Sequence, residues 1–247
     1  MRMKFLNTHI DNLTMNEAIK EIDCLIKANS HSYVVTPNMD HIVLLEKDQL
    51  FKEVYENAAL VLTDGKPLLW IAKWKGTPIK EKVSGSDLFP KMCQLAAKRG
   101  YRIFILGAAK GVAERAANNL KEKYPRLQIS GTYSPPLGFE TDESEVDKII
   151  DMINAAKTDV LAVSLGSPKG EKFLYHIQNR LNAALSISIG ATIDFEAGNV
   201  KRAPKWMADH GLEWLFRITQ DPGRLIKRYW NDAVSIVPII FKYKNDS

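Results

Sequence analysis

The chain has 247 residues, 45% of them apolar and 26% charged, with only two cysteines, Cys24 and Cys93, far apart. This is the balance of a soluble globular protein of one sizeable domain, or one domain with an appendage, and it excludes any need for disulfide staples. Residues 1–200 carry 25 Lys/Arg against 24 Asp/Glu, whereas 201–247 carry 9 against 5, so the net charge of +5 sits almost wholly in the last fifth and points to an anionic partner there.

In chain order, the opening "MRMKFLNTHIDNLT" lacks the apolar segment of a secretory signal. "TMNEAIKEIDCLIKA" opens on Thr14 and Glu17, a capping-box pair, and then places Ile19, Ile22, Leu25 and Ile26 on one helical face. Apolar, β-branched runs predict strands at 32–36, 60–63, 102–107, 127–131, 159–166 and 185–190. Between them lie helical patterns over 85–100, stopped by Gly100, over 110–125, stopped by Pro125, and over 142–156, opened by Asp142 with Glu145. Strands alternating with helices imply a Rossmann-like α/β fold around a mostly parallel sheet. The unbroken apolarity of "DVLAVSLG" (159–166) fits a strand covered on both faces. Beyond 190 the strand pattern ends. One helix is predicted from near Pro204 to Gln220 and a second, amphipathic one after "DPG" (221–223). The expected organisation is an α/β core over 1–200 with a helical appendage over 201–247.

Open α/β sheets bind ligands outside the carboxyl ends of their strands. Those ends carry Thr36 and Asn38; Asp64; Gly107; Gly166, Ser167 and Lys169; and Gly190 and Asp194, with Lys82, Ser84, Ser86 and Asp87 in the loop "KVSGSD". Asp64 reads either as the cap of a helix starting near Lys66 or as a proton acceptor. Asn38 reads equally as a helix cap, and Ser84 or Ser86 as the cap of the helix that follows. "LGAAKGVAE" has the strand–turn–helix setting of a phosphate site without the G-x-G-x-x-G fingerprint of a dinucleotide fold. No histidine pair has metal-ligand spacing, and no Asp-x-Asp dyad occurs, so no metal is expected. In the tail, Arg202, Lys205, Arg217, Arg224, Lys227 and Arg228 interleave with Trp206, Trp214, Phe216, Tyr229 and Trp230. That composition fits a helix lying on a membrane surface, with single-stranded nucleic acid as the alternative partner. No apolar run approaches the roughly 20 residues of a membrane span.

Seven segments in order, "TPNMDHIV", "LTDGKPLLW", "KVSGSDL", "IFILGAAKGVAE", "LAVSLGSPKGEKF", "IGATIDFEAGNVKRAP" and "GLEWLFR…DPGR", resemble the WecG/TagA/CpsF bacterial glycosyltransferases, the last two being the most specific. The resemblance implies inverting transfer of a sugar from a UDP-sugar to an undecaprenyl diphosphate-linked sugar. The setting would be the cytoplasmic face of the membrane, in teichoic acid or surface polysaccharide synthesis. It makes Asp64 the general base and places Thr36, Asn38 and Lys82 in the acceptor and catalytic pocket. Gly107, Ala108 and Ala109 would bracket the nucleotide together with Gly166, Ser167, Pro168, Lys169 and Glu171, joined by Gly190 and Asp194. Arg217, Arg224 and Lys227 would fold over the site from the tail and meet the diphosphates. The sequence departs from the family pattern at Lys82 and Lys227, where arginine is usual, and at Gly170, where glutamine is common; these leave the donor sugar open. Cations rather than a metal would then stabilise the departing UDP. The oligomeric state is open, since apolar residues of the tail could drive association without lipid. The alternatives to this reading are a non-catalytic membrane or nucleotide adaptor and an NAD-type oxidoreductase.

Overall fold

A computed structural model describes residues 2–244, apart from the side chains of Lys205, Asp209 and Arg224. Two short strands, β1 (Arg2–Phe5) and β2 (Thr8–Asp11), form an antiparallel hairpin that the sequence patterns did not announce. Six further strands form one sheet: β3 (Ser32–Val35), β4 (Leu60–Val61), β5 (Arg102–Gly107), β6 (Gln128–Tyr133), β7 (Val160–Ser164) and β8 (Leu185–Ser188). Each falls within or across one of the expected runs. All pairings are parallel, in the order β4-β3-β8-β7-β5-β6, so every carboxyl end lies on the same edge.

The sheet is covered on both faces. Alternate strand residues serve two separate cores. Val35, Phe104, Leu106, Leu161 and Val163 face one, while Val34, Ile103, Ile105, Val160 and Ala162 face the other. The second core is filled by α1 (Met15–Lys27), α5 (Gly85–Arg99), α6 (Val112–Lys123) and α9 (Thr192–Glu196). The first is filled by α2 (Met39–Leu45), α3 (Gln49–Glu56), α4 (Lys66–Trp74), α7 (Glu143–Ala155) and α8 (Lys169–Ile177). Every residue of β7 is buried, as a doubly covered strand requires. Thr14 and Glu17 form the expected capping box on α1, and Gly100 closes α5 in the left-handed region at φ 78°.

The hairpin closes one sheet edge. Arg2 pairs with Asp11 at 2.8 Å and donates to the carbonyls of Ala58 and Ala59, while Asp11 accepts the Val61 N–H at 2.9 Å. Side chains thus occupy backbone groups that an open edge strand would leave unpaired.

Three helices follow the last strand: α10 (Lys205–Asp209), α11 (Glu213–Gln220) and α12 (Pro222–Lys242). The single helix expected over 204–220 is two. Gly211 interrupts it at φ 74°, where a Cβ would come within 2.9 Å of the Trp70 indole of α4. Glycine therefore serves here both the turn and a close approach to the core. The break after Gln220 falls where "DPG" placed it. Helix α12 lies along α2, with Ile236 and Ile239 buried in the same core as β3 and α3. Among the described residues no helix is long and apolar enough to cross a membrane.

Candidate active site

A cavity of about 280 Å³ opens where the ends of β3 and β4 meet the C-terminal helices. The core supplies Asn38, Met39, Asp40, Asp64 to Leu68, and Lys82; the tail supplies Glu213, Trp214, Arg217, Arg228, Tyr229 and Asp232, among others. Neither half encloses the space alone.

Asp64 lies three residues beyond β4, and its backbone N–H donates to the Pro37 carbonyl at 2.8 Å, tying the two strand ends together. The cap of α4 is Gly65, at φ 104° with no side-chain capping bond. Asp64 is therefore not a helix cap. Among the described residues its carboxylate has no hydrogen-bond or ion-pair partner, and it reaches solvent through the cavity. Burial pushes its pKa up to about 6; the negative charge of Glu213 adds to this, and Arg217 and Lys82 oppose it. Such a group is mostly ionised at neutral pH yet binds a proton more readily than an ordinary carboxylate.

The two opposing cations are themselves anchored. Lys82 pairs with Asp87 at 2.8 Å and faces Glu213 at 3.8 Å. Burial alone would lower the Lys82 pKa, but its hydrogen bond to Asp87 and the surrounding carboxylates raise it. Arg217 donates to Glu213 at 2.9 Å and lies over the Phe195 ring at 5.4 Å. Both side chains stay charged beside Asp64.

The other expected pocket residues divide. Asn38 both caps α2, accepting from the His41 N–H at 3.2 Å, and lines the cavity, so its two readings are compatible. Thr36 is buried just beyond β3, outside the lining. Lys227 lines a neighbouring outer groove instead of the cavity. The side chain of Arg224 lies outside the described residues. Arg228, the next cation along, does line the cavity, 3.8 Å from Asp40 and 3.9 Å from Asp232.

The residues expected at the nucleotide sit elsewhere on the same edge, after the adjacent strands β5, β7 and β8. Gly107 ends β5 at φ 108°, where a Cβ would fall 2.3 Å from the Ser164 carbonyl oxygen; only glycine fits this crossing. Ala108 follows with its N–H donating to the same oxygen at 2.8 Å, and Ser134 donates to the carbonyls of Gly107 and Ala109. Gly166, Ser167 and Pro168 lead into α8, whose first residue Lys169 pairs with Glu140 at 2.6 Å. Glu171 is buried, accepts from the Ser188 hydroxyl at 2.9 Å, and has its pKa raised by burial. Gly190 accepts from Ser164 at 2.5 Å, and Asp194 lies in the first turn of α9. None of these lines the Asp64 cavity.

Sequence reasoning passed over Glu213 and Asp232, two acids on otherwise basic helices. The available signal was spacing: Glu213 with Arg217 and Arg228 with Asp232 are both i,i+4 pairs.

A parallel α/β sheet whose carboxyl edge carries a carboxylate of raised pKa beside converging cations points to a group-transfer enzyme with an anionic substrate. The model of the Glycosyl transferase WecG/TagA/CpsF family matches residues 3–247, and the chain belongs to that family. It is a glycosyltransferase, and the adaptor and oxidoreductase alternatives fall away. A relative from Bacillus spizizenii (strain ATCC 23059 / NRRL B-14472 / W23) is 30% identical over 222 residues, covering 89% of this chain and 82% of the relative. One from Bacillus subtilis (strain 168) is 32% identical over 190 residues, covering 77% and 70%. One from Staphylococcus aureus (strain MW2) is 23% identical over 226 residues, covering 91% and 87%. All three bear the name N-acetylglucosaminyldiphosphoundecaprenol N-acetyl-beta-D-mannosaminyltransferase.

The raised pKa of Asp64 has a consequence for stability. A carboxyl that titrates near 6 folded and near 3.8 unfolded holds its proton more tightly in the native state. Its ionisation therefore destabilises the fold as pH rises between these values, and the loss persists above them. Asp64→Asn should melt at a higher temperature than the parent at pH 8, with the difference closing by about pH 4 in paired thermal scans.

Proposed function

We propose that the chain transfers a sugar, with inversion, from a UDP-sugar to an undecaprenyl diphosphate-linked sugar in the synthesis of a surface polysaccharide or teichoic acid. The shared name of the relatives supports a GlcNAc-diphosphoundecaprenol acceptor and an N-acetylmannosaminyl group as the sugar moved. The observation that carries the mechanism is Asp64: a carboxylate shielded from water, without a hydrogen-bond or ion-pair partner among the described residues, in a cavity with Lys82 and Arg217.

In this reading the acceptor hydroxyl lies against Asp64. As its oxygen attacks the anomeric carbon, the proton passes to the carboxylate, the bond from that carbon to UDP breaks, and UDP leaves with the electron pair. Attack from the face opposite UDP inverts the centre. A positioned base of this kind contributes about 10²–10⁴-fold. Lys82, Arg217 and Arg228 supply positive charge for the diphosphates, so the step needs no metal. Lys169, held by Glu140, is less available for that role. The nucleotide falls to the loops after β5, β7 and β8, next to the base on the same sheet edge.

The acceptor's lipid gives the tail a task. Ile226, Trp230, Val234, Val237 and Phe241 stand exposed along α12, Trp230 by 70% and Phe241 by 64%. Lys227, Lys242 and Lys244 flank them. An apolar stripe bordered by cations suits the inner leaflet of the cytoplasmic membrane, where the enzyme would sit peripherally.

Asp64→Asn and Asp64→Ala should lower turnover by at least about a hundredfold while UDP binding by calorimetry persists; ordinary turnover in Asp64→Asn would remove the base. The double variant Trp230→Glu/Phe241→Glu should lose flotation with anionic liposomes, and undiminished flotation would place the membrane contact elsewhere.

A further inference from the structure

Glu213 occupies the junction between the tail and the core. It stands one helical turn before Arg217, so both project from the same face of α11. One carboxylate oxygen accepts from Arg217 at 2.9 Å, and the other faces Lys82 of the core at 3.8 Å. Lys82 is held from behind by Asp87, which also pairs with Arg202 at 2.5 Å and accepts from the Ser84 hydroxyl at 2.7 Å. The result is a chain of alternating sign: Arg202, Asp87, Lys82, Glu213, Arg217. Asp64 lies beside its last three members.

We infer that Glu213 is a positioning residue of the transfer site, brought in on α11 to hold Lys82 and Arg217 together beside Asp64. This rests on the reading of Asp64 as the base. Two cations directed into one small cavity repel each other; an acid between them removes that repulsion before any diphosphate arrives. The same negative charge disfavours the ionised form of Asp64 and so keeps it a stronger base at neutral pH. Burial is the main cause of the raised Asp64 pKa, and a carboxylate of the tail adds to it, with Asp87 of the core acting in the same direction.

The other groups around Asp64 do not supply this bridge. In the cavity are Asp40 from α2, Lys66 from α4, Lys82 from the loop before α5, Arg217 from α11, and Arg228, Tyr229 and Asp232 from α12, with Asp87 of α5 behind Lys82. Tyr55 of α3, hydrogen-bonded to His41 at 2.8 Å, lies beneath and stays neutral, its pKa raised by burial. Among these acids Asp40 and Asp232 face Arg228, and Asp87 touches Lys82 and Arg202. Asp87 links Lys82 to Arg202 behind the cavity; among the described residues Glu213 is the acid placed between Lys82 and Arg217, the two cations beside Asp64.

The test uses the full chain, UDP-N-acetylmannosamine as donor and a short-chain polyprenyl diphosphate N-acetylglucosamine as acceptor, with kcat measured from pH 4.5 to 9. Glu213→Gln keeps the shape and an acceptor for Arg217 but loses the charge. Its acidic limb, normalised to its own plateau, should move to lower pH by about half a unit. Glu213→Asp keeps the charge on a shorter arm, so its limb should stay with the parent while KM for the acceptor rises severalfold. A Glu213→Gln limb that coincides with the parent's overturns the inference, as does a Glu213→Asp limb that moves with Glu213→Gln. Should Glu213→Gln fail to fold, the Glu213→Asp result decides: the parent's limb with a raised KM supports the role, and an unchanged KM refutes it. Activity in Asp64→Asn would instead refute the base itself, so the two failures are distinguishable.

Discussion

A carboxylate largely shielded from water, open only to a cavity and without a hydrogen-bond partner among the described residues is an expensive thing to build into a protein. Asp64 is such a group, and the rest of the site is arranged around it. Its backbone is pinned to Pro37 at the end of the neighbouring strand. Among the described residues its charge is balanced through space by Lys82 and Arg217, not by a contact that would occupy its oxygens. A direct ion pair would have lowered its pKa and blocked its lone pairs; a helix-capping role would have turned it toward backbone amides. The carboxylate is left basic and open to the cavity, which is what accepting a proton from a substrate requires.

That environment is made by two parts of the chain far apart in sequence. The parallel sheet presents Asn38, Asp64 and Lys82 on one edge, and the helices after residue 200 close over them with Glu213, Arg217 and Arg228. The contact of Gly211 with Trp70 and the burial of Ile236 and Ile239 seat those helices against the core. The same α12 that contributes Arg228 to the cavity carries the exposed stripe of Trp230 and Phe241 outside. One helix thus joins the proposed site of chemistry to the proposed surface where a lipid-linked acceptor would be met.

Much of the fold was legible because burial on both faces forces unbroken apolar runs, and the sheet strands announced themselves in that way except the edge strand β6, which has no buried residue and was marked only by the shorter pattern "LQISG". Capping chemistry was equally plain at Thr14 and Gly100, where a few adjacent residues suffice. The hairpin was not legible: β1 and β2 have four residues each, and their purpose, protecting the β4 edge through Arg2 and Asp11, involves partners some 50 residues away. The split at Gly211 was hidden for the same reason, since its cause is Trp70. In the site, Asp64, Asn38, Lys82 and Arg217 could be named from strand ends and family resemblance. Glu213 and Asp232 could not, because an acid on a basic helix looks solvated until the fold shows what it faces. Lys227 drew attention by its place in the motif, yet Arg228 is the residue turned to the cavity.

Carbon-13 NMR titration of the aspartate carboxyls, with Asp64→Asn to assign the resonance, observes the decisive property without any substrate. Midpoint titration of Asp64 near pH 6 is the result expected of a desolvated base with cations close by but out of contact. A midpoint at or below 4 would show a solvated or directly paired carboxylate, and would contradict the role given to it here.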